Sequence, residues 1–233
     1  MKRTSDILSY KEMCDNEGCN LQRGMNYRLG KGHSIVLMSI RPGAPYKDKF
    51  IDNGAAMIYE GHDKPRFALD VDTKTLDQPE KTEQGTLTQN GLFHRAAQDY
   101  VNGERKPEKV HVYEKVRKGI WTFNGIFHLV DSMIESDGRR KVFRFKLKIA
   151  PIRSTDDLDP RPVMDLESNR IIPSAVKVEV WKRDQGKCVQ CGATDNLHFD
   201  HVLPFSLGGT SIRSENIQLL CARHNLRKHN RLE

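Results

Sequence analysis

Two short pairs of metal-type ligands near the C-terminus constrain this chain more than any other feature. They are Cys188-Val-Gln-Cys191 and, after 29 intervening residues, Cys221-Ala-Arg-His224. A C-x-x-C step puts two thiolates on one tight turn, and a second pair of soft or borderline donors completes the tetrahedral set that Zn2+ prefers. Four protein ligands leave no open position for chemistry, so the expected ion is structural Zn2+. The intervening residues suffice for a hairpin and a loop. Simple burial of the cysteines is the plainer alternative, but two paired half-sites favour a metal. The N-terminal MKRTSDILSYKEM lacks the apolar core of a secretory signal, so a cytoplasmic setting is expected, where clustered cysteines more often bind metal than form disulfides. Cys14 and Cys19 match no recognisable site and read as thiols without a bridge.

Composition narrows the class further. Hydrophobic residues at 37% and charged residues at 30% describe a globular chain and exclude a disordered or fibrous one. No apolar run is long enough to span a bilayer, so no membrane partner is expected. Lys and Arg number 38 against 31 acids, a net charge of +7, which suits a polyanionic partner without demanding one.

Periodicity divides the chain into parts. Ser34 to Ile40 and Ala55 to Tyr59 read as buried strands, and Lys109 to Val116 and Ile120 to Phe123 as half-buried ones. Val142 to Ile149 alternates strictly, with Phe143, Phe145, Leu147 and Ile149 on one face. Asn124-Gly125 is a tight-turn signal, since both residues tolerate positive φ. Asn90 to Tyr100 reads as a helix. Periodicity then lapses in a stretch of prolines and acids before Pro173-Ser174 opens a further helix that Gly186 helps end. The expected class is α+β: a mostly-β region over 1–150, a linker over 151–172 and a small domain over 173–233.

Between and beyond the two half-sites lie Asp200-His201, Gly208-Gly209, Asn216 and Asn225-Leu-Arg-Lys228. This order over about 60 residues resembles the HNH (ββα-metal) endonuclease family, though His224 stands where many relatives carry a cysteine. The resemblance implies that His201 is the general base and that Asp200 and Asn225 hold a catalytic divalent ion, Mg2+ or Mn2+. It also implies that Asn216 braces the loop that orients the base. Those types suit the chemistry: imidazole titrates near neutral pH, and a carboxylate is a hard donor for Mg2+. Arg223, Arg227, Lys228 and Arg231 form a basic edge expected to contact DNA phosphates, with a solvated helix face as the plainer alternative.

A second resemblance lies upstream. Pro45 to Gly54, Met57 to Gly61, Thr86 to Asn90 with Ala96-Ala97, and Phe123 to Phe127 are similar to segments of the SRA (YDG) family, with Asn124 where that family carries Asp. The similarity spans roughly Ser34 to Ile149 and implies a PUA-like, mostly-β fold that reads modified cytosine by base flipping. It implies that Tyr46 and Tyr59 sandwich the base and that Asp48 accepts from the cytosine amine; one extra residue after Tyr46 leaves Asp52 open for that role. The alternative is that both tyrosines are ordinary core residues.

Joined, the two resemblances imply a modification-dependent restriction endonuclease of type IV character acting on double-stranded DNA. One such site cuts one strand, so a double-strand break calls for a homodimer or two binding events. Two rivals remain: an HNH endonuclease with a sequence- or structure-specific N-terminal region, and a non-catalytic zinc DNA-binding protein.

Overall fold

The computed structural model describes residues 7–21, 23–29, 32–65, 71–150, 171–204 and 207–228. Most of the expected linker, 151–170, and Arg231 lie outside the described residues. The class is α+β.

One eight-stranded sheet organises the first 150 residues. Its order is β2 (Met25–Asn26), β3 (Ser34–Met38), β6 (Glu108–Arg117), β7 (Ile120–Ser136), β8 (Lys141–Ile149), β5 (Ala56–Glu60) and β4 (Lys49–Ile51), and β1 (Ile7–Leu8) pairs with β7. Only β3 and β6 run parallel among these pairs. Both faces are covered, which explains why β3 reads as a continuous apolar run rather than an alternation. Helix α2 (Gln89–Val101), capped by the Thr88 hydroxyl, sets Phe93, Ala96 and Ala97 against Val36, Val112, Phe127, Phe145 and Leu147. Helix α1 (Tyr10–Glu17) places Met13 on the other face with Leu8, Leu21, Ile35 and Tyr113.

The α1 helix opens with a capping box, Ser9 and Glu12 each bonding the other's backbone N–H, a pattern overlooked in the sequence. Its last residue ties it to the sheet. Glu17 is buried and accepts from Tyr113 Oη (2.5 Å) and His111 Nδ1 (2.9 Å), with His33 Nε2 at 2.9 Å. Burial alone would raise this carboxyl, but the hydrogen bonds from His111, Tyr113 and His33 outweigh it and keep Glu17 ionised.

The Asn124-Gly125 signal is corrected by the structure. The chain does not turn there; β7 runs unbroken from Ile120 to Ser136. Val112 faces Gly125 and Tyr113 faces Phe123, so Asn124 is the extra residue of a β-bulge. Gly125 takes φ of 110°, a value few L side chains adopt, and so Asn-Gly serves a bulge here with the same backbone freedom a turn would use.

The C-terminal unit is smaller. Helix α3 (Ser174–Arg183), strands β9 (Leu197–His201) and β10 (Ile217–Cys221), and helix α4 (Ala222–Lys228) enclose Val176, Val180, Leu197, Leu219 and Leu220. Ile7 of β1 and Ile120 of β7 belong to the same apolar cluster, so the two regions share a core. No described helix is long and apolar enough to cross a membrane.

Candidate active site

The four metal-type ligands converge. Cys188 and Cys191 sit on the turn after α3, closed by Gly192 N–H to Cys188 O at 2.8 Å, Cys221 ends β10 and His224 lies on α4. Their donor atoms all fall within 4.8 Å of one another. Cys191 and Cys221 sulfurs are 3.8 Å apart, and His224 Nδ1 is 3.4 Å from the sulfurs of both Cys188 and Cys221. A tetrahedron with Zn–S bonds of about 2.3 Å has sulfur–sulfur edges of about 3.8 Å, so the residues fit Zn2+. Burial would raise the Cys188 thiol, but backbone N–H groups of Cys221 and Gln190 and the His224 ring bring it down to about 6, toward the thiolate a metal takes.

Beside this cluster, β9 and β10 pair with Ile217 opposite His201 and Gln218 opposite Asp200. Gln218 Nε2 donates to Asp200 Oδ2 at 3.2 Å, and Lys228 Nζ reaches both that oxygen and the His201 carbonyl. The sequence places Lys228 on DNA phosphate; in this structure its ammonium rests on Asp200. His201 Nε2 meets Ser211 Oγ at 2.8 Å, which fixes the rotation of the ring. Ser211 is buried and escaped the sequence reading, although it stands just beyond the Gly-Gly step.

Asn216 spans the intervening loop. Its Oδ1 accepts from Leu203 N–H at 2.8 Å, and its Nδ2 donates to Leu203 O at 3.2 Å and Thr210 O at 3.0 Å. Gly209 permits that closure, because a Cβ there would lie 1.9 Å from Leu203 O. Asn225 follows His224 on α4, and Arg223 and Arg227 are exposed on the same helix.

The sheet presents a second constellation. Asp48 is buried and accepts from Ser39 N–H at 3.1 Å and Glu60 N–H at 3.0 Å. Burial pushes its carboxyl up to about 7 against the pull of those two amides. Asp52 instead is exposed, at φ of 52° on a short 3-10 turn, so the two aspartates left open by the sequence have different environments.

Tyr59 requires a correction. At 1% exposure it is a core residue with no face open to a base, and its hydroxyl bonds His62 Nε2 at 2.9 Å. The ring stacked on Tyr46 is that of His62, 4.9 Å away and inclined by 12°. Lys74 Nζ lies 4.1 Å from the Tyr46 ring centre and pairs with Asp63 at 2.8 Å. Asn90 holds the His62 backbone at both N–H and C=O, each at 2.8 Å. Burial lowers the His62 pKa to about 4, so the ring is neutral. His62 and Lys74 carried no motif that would have singled them out.

Comparison with known proteins bears on the C-terminal unit first. Residues 188–231 match the HNH endonuclease family model. That match holds all four metal-type ligands, Asp200, His201, Asn216 and Asn225. No curated protein matches the chain. Among solved structures, the SUVH5 SRA domain in complex with hemi-methylated CG DNA aligns at 19% identity and a TM-score of 0.42, covering 63% of this chain and 88% of that one. The same domain bound to fully hydroxymethylated CG DNA aligns at 18% identity and a TM-score of 0.41, with coverages of 63% and 88%. Arabidopsis thaliana SUVH6 aligns at 15% identity and a TM-score of 0.41, covering 66% of this chain and 27% of its own length. The DNA in those complexes is a property of those proteins.

Proposed function

We propose that this chain is a metal-dependent DNA endonuclease that reads a modified cytosine with its sheet and cuts a phosphodiester bond at the HNH segment. The observation that carries the reading is the placement of His201 and Asp200. They are adjacent on β9, His201 is fixed by Ser211, and the hairpin is closed by the Cys188, Cys191, Cys221 and His224 cluster. His201 would take the proton from the attacking water, a role worth about 10²–10⁴ in rate. Asp200 and Asn225 would hold Mg2+ or Mn2+, which supplies neutralisation of charge on the scissile phosphate and leaving oxygen. The ammonium of Lys228 rests on Asp200, so an ion held by Asp200 and Asn225 would compete with it for that carboxylate. Arg223 and Arg227 supply further phosphate contacts.

Reading of 5-methylcytosine or 5-hydroxymethylcytosine by base flipping rests on the SRA resemblance and on Asp48, a buried carboxylate aligned by two backbone amides. Its two amide bonds orient it as an acceptor for a base amine, while a base stacking on Tyr46 would have to displace Lys74 from that ring, whose stacking partner is His62. Tyr59 then acts from behind, through His62. A homodimer, or two binding events, would complete a double-strand break.

The test incubates the full chain with Mg2+ or Mn2+ and matched duplexes carrying cytosine, 5-methylcytosine or 5-hydroxymethylcytosine, with His201→Ala as control. Cutting confined to modified DNA, and reduced about 10²-fold or more in the variant, is expected. Equal cutting of all three duplexes would leave a nuclease and remove the modified-base reading. Undiminished cutting by His201→Ala would remove the assigned base.

A further inference from the structure

The interface between the two regions contains a feature that neither site uses. Glu114 on β6 has 0% exposure and Lys177 on α3 has 4%. Lys177 Nζ lies 2.9 Å from Glu114 Oε2, 2.6 Å from Asn124 Oδ1 and 3.3 Å from Thr122 Oγ1, so all three ammonium protons have acceptors on the sheet. Glu114 in turn accepts from Asn124 Nδ2 at 2.9 Å and from the Ser174 hydroxyl. Ser174 and Lys177 are three residues apart on α3 and present one face to the sheet. Burial would raise the Glu114 carboxyl, but Lys177, Asn124 and Ser174 hold it down, so the pair is ionic.

A buried ion pair adds little stability beyond what apolar residues of equal volume would give, and in some proteins it instead selects one relative placement of its partners. Its bonds reach the bulge residue Asn124, so the irregularity in β7 aims a side chain into the interface. The interface also borders both sites. One cleft of about 770 Å3 is lined by Asp48, Phe50 and Asp52 on the sheet side and by Ser174, Thr210 and Ser211 on the other. Ser174 belongs to the polar cluster, and Ser211 is the residue bonded to His201.

We propose that Glu114, Lys177, Asn124 and Ser174 form a positioning lock that fixes the HNH segment on the sheet and so fixes the distance from the recognised base to the cut phosphate. The lock rests on the reading given under Proposed function. It makes these residues determinants of cut position and gives them no part in the bond-breaking step. An HNH segment not fixed to the sheet would instead sample many phosphates on either side of the base.

The experiment maps cut sites on an end-labelled duplex with a single 5-methylcytosine or 5-hydroxymethylcytosine, using the full chain with Mg2+ or Mn2+. The wild-type protein is expected to cut at one or two adjacent positions. The double variant E114Q/K177M keeps side-chain volume, and an amide oxygen as acceptor on β6, while removing the ionic bond. Its cuts are expected to spread over several positions at retained affinity for the modified duplex. Scattered cuts by the wild type, or an unchanged narrow pattern in the double variant, would overturn the lock. Should that variant not fold, Asn124→Ala, which removes one bridge from the sheet side, takes its place with the same criteria. Amide exchange on the DNA-free chain reads the lock apart from the base-reading proposal: α3 and residues 120–125 are expected to lose protection together in the variant while β8 keeps its own. Unchanged protection of α3 overturns the lock even if modified DNA is cut. Joint loss supports the fixed placement of the segment on the sheet even if cytosine modification proves irrelevant.

Discussion

The sheet and the HNH segment hold their sites in opposite ways. The sheet packs Phe93, Phe127, Phe143, Phe145 and Leu147 into an extended apolar core, and its polar constellation of Asp48, His62 and Tyr46 lies along the edge of that core. The C-terminal unit has a few buried aliphatic residues and relies on four metal-type ligands and one braced loop. A large core tolerates a polar site beside it because stability is spread over many contacts. A small one concentrates stability in a few bonds, and the site fails when any of them does.

Chelation should break that comparison most visibly. Removing metal with a strong chelator, or making Cys221→Ser, should unfold the C-terminal unit, since structural Zn2+ contributes about 10–16 kcal/mol in small zinc domains. Amide exchange should rise across 188–228 and stay low in β6 to β8. Protection unaffected by chelation would exclude a structural metal. Phe145→Ala is the matching blow to the sheet: Phe145 stacks on Phe143 at 5.9 Å and meets Phe93 edge-on at 5.8 Å. It should cost about 3–5 kcal/mol in urea unfolding, independent of metal.

Asp48→Asn sharpens the contrast through pH. The folded carboxyl, near 7, sits above its unfolded value of 3.8, so the folded state holds the proton more tightly. Stability attributable to Asp48 therefore falls as pH rises from about 4 to about 7 and stays low above that. Asparagine keeps an acceptor for only one of the two amides and turns an NH2 toward the other. The variant should therefore lower the melting temperature at pH 4 and lose that deficit, or reverse it, by pH 8, the pH-dependent difference having a ceiling of about 4 kcal/mol from roughly three pKa units. It should also weaken binding to modified DNA, and a gain of affinity would refute the assigned acceptor. The smallest effect is expected from Ser211→Ala. Losing one hydrogen bond of about 0.5–1.5 kcal/mol should slow cleavage by about 2- to 10-fold, with no change in metal dependence.

Local signals were legible in the sequence because they depend on near neighbours. The period-two pattern of Val142 to Ile149 is β8, and the helix read over Asn90 to Tyr100 is α2. The C-x-x-C and C-x-x-H steps brought their donors to one point because each pair shares a turn or a helix start. Long-range pairings were not legible. Lys177 and Glu114 stand 63 residues apart in the chain, and neither lies in a pattern that names the other. Asn124-Gly125 misled because positive φ serves a bulge as well as a turn, and only the partner strand decides. Tyr59 misled because an aromatic residue in a strand gives no sign of which side of the sheet it faces until the covering helix is placed.

The two-residue strand β1 has a mechanical consequence. Ile7 and Leu8 pair with Thr122 and Trp121, and Ile7 is packed among residues of the C-terminal unit. Tension applied through β1 would load the core of the C-terminal unit before it reached α2 or the Asp48 edge of the sheet. The resistance would come from a short zip of two residues, which a weak pull separates. A load applied at β1 should therefore disturb the packing of the C-terminal unit sooner than that of the sheet.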